Sequence, residues 1–163
     1  MNDRKTNDTA RENNIAFLEL YKSVDRFIRD AYASDEGVSE YIRMMETKDS
    51  LGRRYAAGWA DDYRMLKHAR WVRNRLTHDL GYDSEILEEN DYGWLVSFRN
   101  RLCSSYDPIA ILSREERLAA QRRAEEWRRR QAQIRDQAAE SSKPAAQPRR
   151  TLWQRIKAFF LGE

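Results

Sequence analysis

The chain has 163 residues, 40% of them apolar and 35% charged, which is room for one modest domain with extensions. Six glycines and three prolines are too few for the turns of an all-β fold. The single cysteine excludes an internal disulfide and any multi-cysteine metal site, and two histidines in all argue against a zinc site, so no metal or other cofactor is expected.

The net charge of +3 conceals an asymmetry. Residues 113–163 hold 13 Lys and Arg against seven Asp and Glu, whereas residues 1–112 hold 17 against 20. A mildly acidic folded part thus precedes a basic tail, which either serves solubility or meets nucleic acid or an anionic membrane surface. The polar start MNDRKTNDTA contains no signal peptide, and no run reaches transmembrane length. The expected location is cytoplasmic, with peripheral membrane attachment open to the tail. Cys103 reads as a small buried thiol in a reducing compartment.

In chain order, residues 1–8 read as a disordered N-terminus, and Thr9 to Glu12 forms a capping-box pattern that opens a helix. Phe17, Leu20, Tyr21, Val24, Phe27, Ile28 and Ala31 then give a wide apolar face, predicting a principal core helix over 10–32. Ser34 to Gly37 breaks it. Val38, Tyr41, Ile42 and Met45 predict a second, shorter helix ending near the 48–52 loop. The 53–60 stretch is ambiguous, since Tyr55 and Trp59 suit either a continued helix or a lid.

Met65, Ala69, Val72 and Leu76 recur at helical spacing and predict a central helix over 61–79, with Asp61 or Asp62 as its N-cap and Gly81 as its stop. His68 lies off that stripe and reads as a solvated residue. A fourth helix is predicted over 85–103, burying Trp94, Leu95, Phe98 and Leu102. Asp107-Pro108 marks a turn, and 109–112 returns to the core. Trp59, Tyr63, Trp71 and Trp94 read as core or cleft walls rather than stacking platforms.

Ser113 to Glu116 is a second capping-box pattern, opening a charged, solvated helix over 113–140. A flexible linker follows over 141–150. In the last segment, 151–163, Trp153, Ile156, Phe159 and Phe160 gather on one face of an amphipathic helix. That face suits a membrane interface, a partner's groove or the protein's own domain. The fold class expected is all-α, a four- to five-helix bundle with a long charged helix and a terminal amphipathic helix.

One constellation carries chemistry. Asn74 and His78 are four apart and stack on one helix face, with Arg70 a turn before. Arg73 lies about 140° from His78 on an ideal helix. It converges on His78 through side-chain length, an opened last turn, or a two-fold mate supplying a second copy. His exchanges protons near neutral pH and Arg matches phosphate oxygens, so Arg73 and His78 suffice in principle to cleave RNA without metal. Asn74 would orient the imidazole, and Arg70 and Arg75 would hold the RNA strand. The alternative is structural: Arg and His favour a helix C-terminus for its dipole.

The stretch Leu66–Asp79, with Arg73, Asn74 and His78, resembles the signature of the HEPN superfamily: an Arg, a polar residue that is often Asn, and a His a few residues on. The resemblance extends over 9–112 as a helical bundle of suitable size. It implies a metal-independent endoribonuclease with Arg73, Asn74 and His78 as functional residues, RNA as partner, a homodimer with the motif at its cleft, and a role as toxin or antiphage effector. Many toxins of that family carry a Tyr two residues after the His, where this chain has Leu80. The resemblance therefore does not extend to a nucleotidyltransferase antitoxin. The second reading is a non-catalytic helical interaction module tethered through 149–163.

Overall fold

The computed structural model describes residues 2–79 and 82–141, with side chains described from residue 8 and not at Asp79. The described residues are all-α and contain no strand. The helices are α1 (Asn2–Tyr32), α2 (Val38–Thr47), α3 (Asp49–Tyr55), α4 (Trp59–Asn74), α5 (Asp91–Cys103) and α6 (Pro108–Ser141), with a π turn, Arg75–Asp79, completing α4. The chain divides into two compact units, 1–118 and 119–163.

In the first unit, α1, α2, α4 and α5 enclose the core. Phe17, Tyr21, Val24 and Ile28 of α1 meet Tyr41, Ile42 and Met45 of α2, Leu66, Ala69 and Val72 of α4, and Leu95, Phe98 and Leu102 of α5. Ile109 and Leu112, in the first turns of α6, close it. The apolar spacing predicted this stripe, except that Leu66 is buried where Met65 is only partly so.

Several boundaries differ from expectation. Helix α1 starts at Asn2, so residues 2–8 are helical and Thr9 and Glu12 lie inside the helix. No proline or glycine precedes them to stop it. Helix α5 starts at Asp91 rather than 85, and Ser113 sits within α6. The start of α6 lies at Pro108, whose missing N–H costs nothing in a first turn, with Asp107 capping the Ala110 N–H at 3.2 Å. Asp62 is no cap: Gly58 precedes α4, and Asp62 is buried in a bidentate pair with Arg101 of α5 at 2.5 and 2.6 Å. Cys103 is exposed, not buried.

Asp107 does more than cap. Its Oδ1 accepts the Tyr41 hydroxyl at 2.6 Å and the Tyr32 hydroxyl at 3.0 Å, and Tyr41 in turn accepts the Ile109 N–H. One buried carboxylate thereby joins the end of α1, the middle of α2 and the start of α6. Trp59 settles the ambiguous 53–60 stretch. Its indole is fully buried against Gly52 of α3 and donates to Asp49 at 3.1 Å.

In the second unit, the described residues 119–141 continue as helix and are almost all exposed, Trp127 and Ile134 included. The amphipathic segment with Trp153, Ile156, Phe159 and Phe160, and most of the linker, lie outside the described residues. Among the described residues no helix is long and apolar enough to cross a membrane.

Two outcomes follow from these contacts. A Cβ at residue 52 would overlap the Trp59 indole, so Gly52→Ala should destabilise by about 1–3 kcal/mol in chemical denaturation. Burial, then the Asp107 charge, raises the Tyr41 and Tyr32 phenols above their ordinary value. The unfolded chain ionises these tyrosines near pH 10 while the fold keeps them protonated. The stability they confer is complete below about pH 10 and is lost as pH rises beyond it. Urea midpoints should therefore fall between pH 9 and 11, and less steeply in Tyr32→Phe, although that variant starts from a lower midpoint.

Candidate functional site

Helix α4 presents three faces. One is the core stripe. A second, carrying Arg70, Arg73 and Asn74, borders a polar groove of about 370 Å³ completed by Tyr21, Lys22, Asp25 and Arg29 of α1, Asp35 and Glu36 of the following turn, and Ser39 of α2. A third carries His68 and Trp71, whose rings stack at 5.7 Å.

The groove exists because α2 is tied back onto α1. Asp25 Oδ1 accepts the Val38 N–H at 2.9 Å, capping α2 from a neighbouring helix. Gly37 between them has φ +54°, and a Cβ there would collide with the Asp25 carboxylate. Several groove charges have partners inside it or beside it. Asp25 pairs with Arg29, Glu36 with Arg43, and Lys22 with Glu19. Arg70 reaches the Ser39 hydroxyl at 3.4 Å and has no carboxylate partner among the described residues. Arg73 donates to Asn74 Oδ1 at 2.8 Å and has no carboxylate partner among the described residues.

After Asn74 the helix widens. Residues Arg75–Asp79 form a π turn, a form that recurs at functional sites. The Thr77 hydroxyl donates to the Arg73 carbonyl at 2.8 Å and approaches the Asn74 carbonyl at 3.3 Å, serving backbone groups at the point where the ladder changes register. Beyond the turn, Asn14 of α1 anchors the chain by donating to the Tyr82 and Ser84 carbonyls, both at 2.8 Å. Asn14 is buried, and nothing in its spacing announced this role.

The sequence-predicted residues divide accordingly. Arg70, Arg73 and Asn74 come together at the groove. His78 is exposed on the π turn and is not among the groove-lining residues. Arg75 is half-buried, also away from the groove. The wider turn reduces the angular separation of Arg73 and His78 from about 140° to roughly 70–90°. The opened last turn envisaged from the sequence is present.

Tyr21 is the groove residue that the sequence reading placed only in the core. It is 6% exposed, and burial together with Asp25 pushes its phenol up to about 12 against the opposing charges of Arg73 and Arg70.

His68 is not the solvated residue expected. Its Nε2 lies 3.0 Å from Oδ2 of buried Asp91, which also accepts the Glu88 N–H at 2.9 Å. Ligand atoms of His68, Glu88 and Asp91 fall within 4.8 Å of one another, so these three are the described residues able to approach one cation. Asp91 already serves a backbone amide and the imidazole, which makes the group a brace between α4 and the start of α5. Of the aromatics read as core or cleft walls, Trp59 is buried, Tyr63 and Trp94 are half-buried, and Trp71 is 49% exposed and so not in the core.

Fold and site together define an all-α bundle with an arginine-bordered polar groove and a histidine-bearing π turn on one helix. The chain belongs to a family of unknown function (DUF6548), whose model matches residues 15–160. No curated protein and no solved structure matches it.

Thr77→Val keeps the side-chain shape and removes the hydroxyl. It should cost about 1 kcal/mol in thermal unfolding and raise amide exchange across 75–79, read by mass-resolved hydrogen exchange.

Proposed function

We propose that the chain is a metal-independent endoribonuclease of HEPN type, acting as a homodimer. The observation that carries this reading is the π turn between Arg73 and His78, together with an Arg73 that no described carboxylate neutralises. A structural Arg and His at a helix end require neither.

In the proposed reaction, His78 takes the proton of a ribose 2′-hydroxyl or returns one to the leaving oxygen. The 2′-oxygen attacks the adjacent phosphorus, the bond to the 5′-oxygen breaks, and a 2′,3′-cyclic phosphate and a 5′-hydroxyl result. Arg73 meets the negative charge developing on the phosphoryl oxygens, and Asn74 holds the guanidinium in place through its 2.8 Å hydrogen bond. Because His78 stands outside the groove of its own chain, a two-fold mate is assigned the second copy needed to face it.

A specific observation favours the second reading, a non-catalytic interaction module: three carboxylates, Asp25, Asp35 and Glu36, border the same groove. The two readings part in one assay. Purified protein in EDTA should cleave bulk RNA to cyclic-phosphate ends, and folded His78→Ala and Arg73→Ala should each lose activity by a factor on the order of a hundred or more. Equal cleavage by all three proteins would sink this site, and absence of cleavage by wild type would favour the module.

A further inference from the structure

The groove between α1, α2 and α4 offers donors beyond the Arg73 that the proposed cleavage uses. Arg70 and Arg73 converge on it from successive turns of α4, and neither has a carboxylate partner among the described residues. The carboxylates around them are mostly engaged. Asp25 holds Arg29 and the Val38 N–H, and Glu36 holds Arg43, leaving Asp35 as the remaining anion on the rim.

Uncharged donors face the same space. Ser39 carries a hydroxyl beside Arg70, and Asn74, whose oxygen accepts from Arg73, keeps its amide N–H groups available. Tyr21, a residue more than nine-tenths buried, also lines the groove, and the charges of Arg73 and Arg70 act on its phenol. Two guanidinium forks, two hydroxyls and an amide, all donors, match the several acceptor oxygens of a phosphoryl group.

We infer that this groove is a nucleotide phosphate-binding site in which Arg70, Arg73, Ser39 and Tyr21 grip the phosphoryl oxygens. The phosphate comes either from a free mononucleotide or from an RNA strand, and the groove's volume of about 370 Å³ accommodates a phosphate and its ribose. The site shares Arg73 with the ribonuclease reading but is tested separately through Arg70 and Tyr21, because holding a phosphate requires no contribution from His78.

The test is calorimetric titration of the full chain with AMP and, separately, with a 2′-O-methyl RNA oligomer that 2′-hydroxyl chemistry cannot cleave. Arg70→Gln and Tyr21→Phe keep side-chain size, and their melting temperatures establish folding. Arg64→Ala, an exposed arginine paired with Asp61 on the same helix, controls for general charge. Each groove variant should weaken binding about tenfold or more, with the control unchanged. Binding of AMP but not of the oligomer, with that sensitivity, assigns a free mononucleotide. The converse assigns an in-strand phosphate. Absence of binding by both probes, or equal weakening in Arg64→Ala, overturns the inference. Groove-dependent binding without RNA cleavage in EDTA would retain this site while removing the ribonuclease reading. Cleavage without groove-dependent binding would do the reverse.

Discussion

One buried carboxylate holds the geometry on which the site depends. Asp107 takes two tyrosine hydroxyls, from the end of α1 and the middle of α2, while capping the helix that follows it. A buried charge is costly unless its lone pairs are filled, and here short O–H donors fill them, so the three elements are bound to one point rather than merely packed. The nearby Asp62–Arg101 pair does the same between α4 and α5 with a bidentate fork. Together they tie α1 and α2 to the start of α6, and α4 to α5.

Against that rigid frame, α4 changes character along its length. Its first four turns follow the core stripe. Its end opens into a π turn, with the Thr77 hydroxyl bonded to the freed backbone and Asn14 securing the chain beyond. Across the wider turn Leu76 still reaches the core while His78 remains exposed.

The groove's electrostatics follow from which charges find partners. Lys22, Arg29 and Arg43 each have an acidic neighbour at a distance the chain supplies locally. Arg70 and Arg73 sit on a stretch of α4 where two of the three facing carboxylates, Asp25 and Glu36, are already engaged.

The sequence by itself determined the all-α class, the principal helices and most of the core, because a 3.6-residue apolar period is a local property that burial then enforces. It also singled out Arg70, Arg73, Asn74 and His78 as a local cluster on α4. What it missed shares one cause. Asp62, Asp91, Asp107, Asn14 and Tyr21 are polar groups whose roles depend on partners distant in the chain, and spacing along one helix carries no record of such partners. The same holds for boundaries: α1 runs past its capping pattern because nothing local stops it, and α6 starts five residues early because Asp107 is held by tyrosines from elsewhere. Only the tertiary structure decided which arginines are neutralised, where Tyr21 faces, and that α4 ends in a π turn, since each is set by contacts between elements and not within one.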